Sequence, residues 1–298
     1  MQCSGNRRSN FNTVSRTSGT PWGQGAISTA KFAGPKLRDI LKLAGLKDEG
    51  EEAAYKSGLE HVCFESLDGM KASIDIDKAI SPHGDCIVAY EMNGKPIPPD
   101  HGYPARVIVP GYCAVRNVKW IQKVKLSQTE AEGAWQRGLN YKVLPKGVTN
   151  AKKVDLSQMP SLAEASLFSG ITKLEQKKTS SSTLDAKPGD EITVKASGWA
   201  WAGGGRNIVR VNITGDGGKT WTTADITLGK DQKFNRAWAW VFWSCDNIKA
   251  TVNENNQVEV CSMAVDAAMN SQPETCDHIW NIRGLGNNSW FRLKLDVK

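Results

Sequence analysis

The chain has 298 residues, 40% hydrophobic and 23% charged, ordinary globular values at a length that fits two domains. Its 38 basic and 31 acidic side chains leave a formal net charge of +7, which favours small anions; the basic residues are scattered, so nucleic acid is not an expected partner. No apolar run approaches the roughly 20 residues of a spanning helix, so no membrane insertion is expected.

In chain order, Cys3-Ser4-Gly5-Asn6-Arg7-Arg8 comes first and sets a lone thiol beside two guanidinium groups. Fixed positive charge favours the thiolate, which suits a soft metal ligand or a nucleophile, and the same arginines attract anions. Taken alone, the stretch also reads as a surface cysteine beside solvated arginines. Within Lys36 to Gly45, Leu37, Ile40, Leu41 and Ala44 recur at helical spacing and Gly45 stands at the C-terminal cap position, which predicts a short amphipathic helix. His61 to Phe64, Ile87 to Tyr90, Ala105 to Val109 and Val118 to Val124 are short and β-prone, and predict strands. Between Leu126 and Leu156 the periodicity fades; a connection this long inside a compact enzyme tends to be functional, and it contains Tyr141.

From Ser169 onward the pattern becomes alternation. Glu191 to Ala196, Val209 to Ile213, Trp238 to Trp243, Val258 to Cys261 and Trp290 to Leu295 place apolar side chains at period two, with Asp216-Gly217-Gly218 as a tight turn. Such strands predict an immunoglobulin-like β-sandwich. Gln176 to Gly189 reads as an exposed loop within it. The expected class is therefore α+β: a mixed α/β domain at 1–163, then the sandwich at 164–298.

Seven dispersed cysteines without a C-x-x-C pair fit free thiols better than a disulfide framework or a structural zinc site. Four dispersed histidines offer no H-E-x-x-H pair, and neither a P-loop nor a dinucleotide fingerprint is present. Zinc hydrolase and nucleotide-enzyme chemistry lose their usual support.

Other blocks are more specific together than singly: Gly25 to Ala30, Glu91 to Gly94, Asp100-His101-Gly102-Tyr103-Pro104, Val118-Lys119-Trp120, Gly203 to Arg206, Asp216 to Trp221, Ala237 to Trp240 and Trp280-Asn281-Ile282-Arg283-Gly284. In this order they resemble the eukaryotic sulfite oxidases, and the likeness runs from Cys3 to Trp290. It implies a molybdenum-molybdopterin cofactor with Cys3 as the protein's thiolate ligand to the metal, a soft donor suited to it. It further implies a substrate pocket of Arg8, Trp22, Tyr141 and Arg283, arginines being the best receptors for sulfite oxygens. Pterin contacts map onto Asp68, His101, Arg106, Asn117, Val118 and Lys119. Read without the resemblance, Trp22 is equally core, Arg283 a cap or salt bridge, and His101 part of a solvated turn.

The implied activity is oxidation of sulfite to sulfate, with electrons passing to a haem domain, cytochrome c or another acceptor, in a homodimer joined through the β-domain. Animal relatives work in the mitochondrial intermembrane space and plant ones in peroxisomes; Asp296-Val297-Lys298 is not a peroxisomal tripeptide. Relatives carry a further pterin-contacting segment upstream of the Cys3 block, so the catalytic domain is expected to be incomplete at its N-terminal side. Two other readings stay open: a nitrate reductase-type molybdenum domain, disfavoured because Met typically stands where this chain has Arg283, and a non-catalytic dimerising relative.

Overall fold

The computed structural model describes residues 1–46, 54, 56–177 and 186–297. The chain divides into two compact units, Met1–Ala165 with Asp277–Asn287, and Ser166–Cys276 with Asn288–Lys298. Arg283 thus belongs to the first unit, whereas a single cut in the sequence assigns it to the second.

Among the described residues, eight short strands build the first unit: β1 (Phe32–Ala33), β2 (His61–Ser66), β3 (Lys71–Asp75), β4 (Ile87–Ala89), β5 (Glu91–Met92), β6 (Lys95–Pro96), β7 (Arg106–Ile108) and β8 (Ile121–Ser127). They form three small antiparallel sheets, β3-β2-β8, β4-β7 and β1-β5-β6. Central β2 buries Val62, Cys63 and Phe64 in succession, because both of its faces are covered. The helix expected near Lys36 spans Leu37–Leu43 and buries Leu37 and Leu41, one turn apart. These two join Val62, Phe64, Ile74, Ile76, Val107, Val109 and Val118 in one apolar core. Gly45 follows the helix at φ 102°, the left-handed stop that a glycine permits.

The strand expected from Val118 begins only at Ile121. Trp120 sits at φ 51°, which breaks the extended run, while the Val118 carbonyl already accepts from Val107 N at 2.9 Å. The long connection after β8 carries three single 3-10 turns, at Leu139–Tyr141, Ala151–Lys153 and Leu156–Gln158.

In the second unit, β9 (Leu167–Gln176), β10 (Glu191–Ala202), β11 (Ile208–Thr214), β12 (Thr222–Leu228), β13 (Val241–Thr251), β14 (Gln257–Asp266) and β15 (Phe291–Asp296) run in the order β15-β14-β11-β12-β13-β10-β9. The first half of β12 pairs with β11 and its second half with β13. One strand therefore passes from one layer of the sandwich to the other. Val194, Val211, Ile213, Trp243, Ile248, Val258 and Val260 form its core, at the period-two positions the alternation marks.

The strand expected from Trp238 starts at Val241 instead. Gln232 binds the Ala239 main chain in both directions, Nε2 donating to its carbonyl at 3.0 Å and Oε1 accepting its N–H at 2.9 Å. Those groups are consequently withdrawn from a neighbouring strand. The loop expected at Gln176 to Gly189 lies in large part outside the described residues. The expected α+β class is the architecture observed.

β9 and β10 approach closely at Gly198, where a Cβ would stand 1.9 Å from the Gly170 carbonyl oxygen and 2.6 Å from the Trp243 ring. Neither neighbour can swing away, so Gly198→Ala is expected to cost roughly 1–3 kcal/mol, read as a lower urea midpoint by tryptophan fluorescence. An unchanged midpoint would show that the pairing relaxes without cost.

Candidate active site

The segment 2–8 is a tight loop held by main-chain bonds. Cys3 N donates to Ala26 O at 2.9 Å, Arg7 N to Gly23 O at 2.8 Å and Gly286 N to Ser4 O at 2.8 Å. Arg7 adopts φ 61°, ψ 24° immediately before the short helix Arg8–Phe11, a left-handed conformation that a non-glycine residue takes at a cost repaid by its surroundings. Its carbonyl accepts from Asn287 Nδ2 at 3.1 Å. Cys3 is a half-buried free thiol at the head of this loop.

Arg8 is buried, and two of its nitrogens are directed onto main-chain oxygens: Nε donates to Arg283 O at 3.0 Å and one terminal nitrogen to Thr20 O at 2.7 Å. Three glycines make room for it. A Cβ on Gly5 or Gly284 would lie 2.5 Å from Arg8 atoms, and one on Gly19 would lie 2.9 Å away. Burial lowers the Arg8 pKa from its ordinary value, while Cys3 and Tyr141 act in the opposite sense. The Arg283 guanidinium donates to Ser18 Oγ, and to Asn140 Oδ1 at 3.0 Å. Burial and the like charge of Arg8 lower its pKa, and Tyr141 opposes them. Tyr141 is shifted up by burial, then by Cys3 and Cys113, against Arg116 and Arg8, so its phenol stays protonated across the physiological range.

Cys3, Arg8, Tyr141 and Arg283 therefore share one electrostatic neighbourhood. Trp22 differs: it is 46% exposed and joins the site through its carbonyl, which accepts from Ser9 N at 3.1 Å.

The residues mapped to the pterin gather around β7. Arg106 is buried and donates to His101 O and Asn117 O, each at 2.8 Å; burial pulls its pKa down to about 10. Asn117 spends its side chain internally, accepting from Val109 N at 2.8 Å and donating to Cys113 O at 3.2 Å. Val118 is core, so these two offer a ligand main-chain groups rather than side chains. Lys119 donates to Asp100 O at 2.9 Å and stands 4.1 Å from the Trp120 ring centroid. His101 and Asp68 are exposed; hydrogen bonds from Ser66 and from Met70 N, with Lys119 nearby, hold the Asp68 carboxyl below its usual range. The two groups are linked where Ala114 N donates to Gln2 O at 2.8 Å and Arg106 meets the Met1 sulfur at 3.5 Å.

Several site residues escape sequence reasoning. Lys142, with a side chain 1% exposed, pairs with Glu130 at 2.6 Å, and the same carboxylate accepts from Gln136 Nε2 at 3.0 Å and Ser161 Oγ at 2.5 Å. Arg116 is fully buried beneath this loop. Periodicity cannot separate a buried cation from an exposed one, although Arg116 adjoins the Asn117-Val118-Lys119 run.

Arg8, Arg106, Arg116 and Arg283 form no ion pair among the described residues; their protein partners are carbonyls and neutral side chains. Buried polar atoms without a hydrogen-bond partner include Arg106 Nε and Arg283 Nε themselves and, in the segment that leads to Arg8, both amide atoms of Gln2 and Asn6 Nδ2. Buried charge needs a counter-charge and buried donors need acceptors. The residues thus fit an anionic group rich in acceptors. Among the described residues no set of three or more His, Cys, Asp or Glu side chains is arranged to hold a metal, so a metal bound through Cys3 takes its other donors from a ligand.

Residues 1–135 match the family model described as "Oxidoreductase molybdopterin binding domain", and residues 164–298 the one described as "Mo-co oxidoreductase dimerisation domain". Thiol, anion cradle and domain pairing together define a molybdopterin-dependent oxidoreductase. The chain is 40% identical over 304 residues to mitochondrial sulfite oxidase of Rattus norvegicus, covering 100% of this chain and 52% of that protein. It is 35% identical over 309 residues to sulfite oxidase of Arabidopsis thaliana, covering 99% of this chain and 74% of that one. The sulfane dehydrogenase SoxCD of Paracoccus pantotrophus shares the fold at a TM-score of 0.69 and 22% identity, over 99% of this chain and 67% of that chain. The chain belongs to the sulfite oxidase family, and spans about half the length of the rat relative. That membership implies the molybdenum cofactor.

Burial alone would raise Glu130, but bonds from Lys142, Ser161 and Gln136 outweigh it and hold the carboxyl below its ordinary value. A depressed native pKa adds stability that is present above the unfolded value of about 4.3 and lost as pH falls through the native one. Glu130→Gln is therefore expected to be destabilising at pH 7 and to lose that deficit below about pH 4, measured by urea titration across pH. A deficit that does not change with pH would contradict the pairing.

Proposed function

We propose that this chain is the cofactor-binding and dimerising portion of a mitochondrial sulfite-oxidising enzyme, converting sulfite to sulfate and passing electrons singly to a haem domain or cytochrome c. The observation that carries the reading is the meeting of Arg8 and Arg283, neither with a carboxylate among the described residues: Arg8 Nε donates to Arg283 O at 3.0 Å, and Arg283 donates to Asn140 Oδ1, next to Tyr141, at 3.0 Å.

Oxygen-atom transfer and the temporary storage of two electrons are the chemistry that the molybdenum cofactor supplies when bound. Cys3 provides the soft anionic donor to its metal. Arg106, Lys119 and the donors around His101 and Asn117 hold the acceptor-rich pterin. Arg8 and Arg283 repel each other until a dianion enters, so the substrate relieves a strain already built into the pocket. Their forks take the sulfite oxygens and leave the sulfur lone pair free. Tyr141, protonated, donates one further hydrogen bond to the bound anion.

The substrate preference rests on Arg283. Nitrate, a monoanion, needs less positive charge, and two adjacent guanidinium groups exceed what it requires.

Cofactor-loaded protein with about one molybdenum per chain is expected to reduce ferricyanide in the presence of sulfite. Cys3→Ser should abolish this, and Arg283→Met should raise KM for sulfite roughly 10–100-fold, the worth of a charge-assisted hydrogen bond. Loaded protein inert to sulfite but oxidising a reduced dye with nitrate would instead make it a nitrate reductase-type domain. Dimers that never take up molybdenum would point to a non-catalytic relative.

A further inference from the structure

Arg116 is 0% exposed, and a buried guanidinium without an ion pair carries a heavy desolvation cost. Four directed bonds show where that cost is repaid. Nε and one terminal nitrogen both donate to Leu162 O, at 3.2 and 2.8 Å, and the other terminal nitrogen reaches Trp135 O at 3.0 Å and Gln136 Oε1. Both main-chain acceptors flank Tyr141. Leu162 N donates to the Tyr141 carbonyl at 2.7 Å, so one residue is gripped by Arg116 at its carbonyl oxygen and holds Tyr141 through its own N–H. The Trp135 ring meets the Tyr141 ring edge-on at 6.3 Å between centroids, and the guanidinium itself lies 5.7 Å from the Tyr141 ring centroid, within range of a cation–π attraction.

The other end of the assembly is tied to the segment that carries Cys3. Arg116 N donates to Cys113 O at 2.9 Å, and Ala114 N, in the same turn, donates to Gln2 O at 2.8 Å, one residue from Cys3. The loop bearing Tyr141 has no strand or α-helix of its own between β8 and β9 among the described residues. Its placement depends on side-chain anchors.

We infer that Arg116 is a positioning residue that fixes the Tyr141 phenol beside the Cys3 thiol, acting on the reaction only through Tyr141. The inference rests on the reading above, in which Tyr141 lines the substrate pocket. Lysine would keep the charge and lose the planar fork that spans Leu162, Trp135 and Gln136.

The test uses cofactor-loaded protein carrying Arg116→Lys, Tyr141→Phe or both. Each single change is expected to lower kcat for sulfite by a similar factor with molybdenum per chain unchanged, and the double variant to be no slower than Tyr141→Phe within about twofold. Amide hydrogen exchange at Leu162 should rise more than about tenfold in Arg116→Lys, with the β2 and β3 amides unaffected. Additive losses in the double variant, or unchanged exchange at Leu162, would overturn the inference. If Arg116→Lys fails to fold, Gln136→Met, which removes one acceptor from the guanidinium, carries the exchange experiment with the β2 amides alone as the control, because Ser73 N of β3 itself donates to Gln136 Oε1 at 3.1 Å. Exchange needs no turnover, so an enzyme inert toward sulfite counts against the substrate reading while Leu162 still decides the anchoring.

Discussion

The first unit is organised around three buried guanidinium groups, Arg8, Arg106 and Arg116, that are held by carbonyl dipoles and form no ion pair among the described residues. Each lies deep in it, and each directs at least two of its nitrogens onto main-chain oxygens. A carbonyl satisfies a hydrogen bond but leaves the formal charge standing. Positive potential thereby remains in the protein. The same bonds staple loops that lack regular structure, so recognition and architecture draw on one set of side chains.

The cost of this arrangement falls on backbone geometry. Arg8 occupies a slot that exists only because Gly5, Gly19 and Gly284 have no side chains, and Gly284 holds φ 60°, where glycine alone is unstrained. Arg7 takes a left-handed conformation just before the helix that presents Arg8. Local preference yields to the site here, as is common where a fold must position chemistry rather than only pack.

Much of the fold was legible in the sequence. Period-two alternation marks the core of the second unit, since Val211 with Ile213 and Val258 with Val260 face inward, and helical spacing marks Leu37 and Leu41. The errors have identifiable causes: Trp120 leaves the extended region before β8, and the Gln232 amide captures Ala239 ahead of β13. The candidate site was proposed mainly by resemblance, which named Cys3, Arg8, Tyr141 and Arg283 together. What it could not reveal was the support beneath them. Arg116, Glu130 and Lys142 sit in an aperiodic stretch or beside a marked motif, and burial of a charged side chain leaves no trace in local pattern. The grouping of residues 277–287 with the first unit is unmarked for a related reason: no composition shift announces it.

That grouping sets an order of assembly. Residues 277–287 complete the first unit but emerge from the ribosome only after strands β9 to β14 have been made, because synthesis runs from the N-terminus. The first unit therefore spends the translation of more than a hundred residues with its anion cradle lacking Arg283 and the Gly284 wall behind Arg8. During that interval the positive charges of Arg8 and Arg283 are not yet confronted, and the nascent subunit is spared the repulsion that the finished pocket retains.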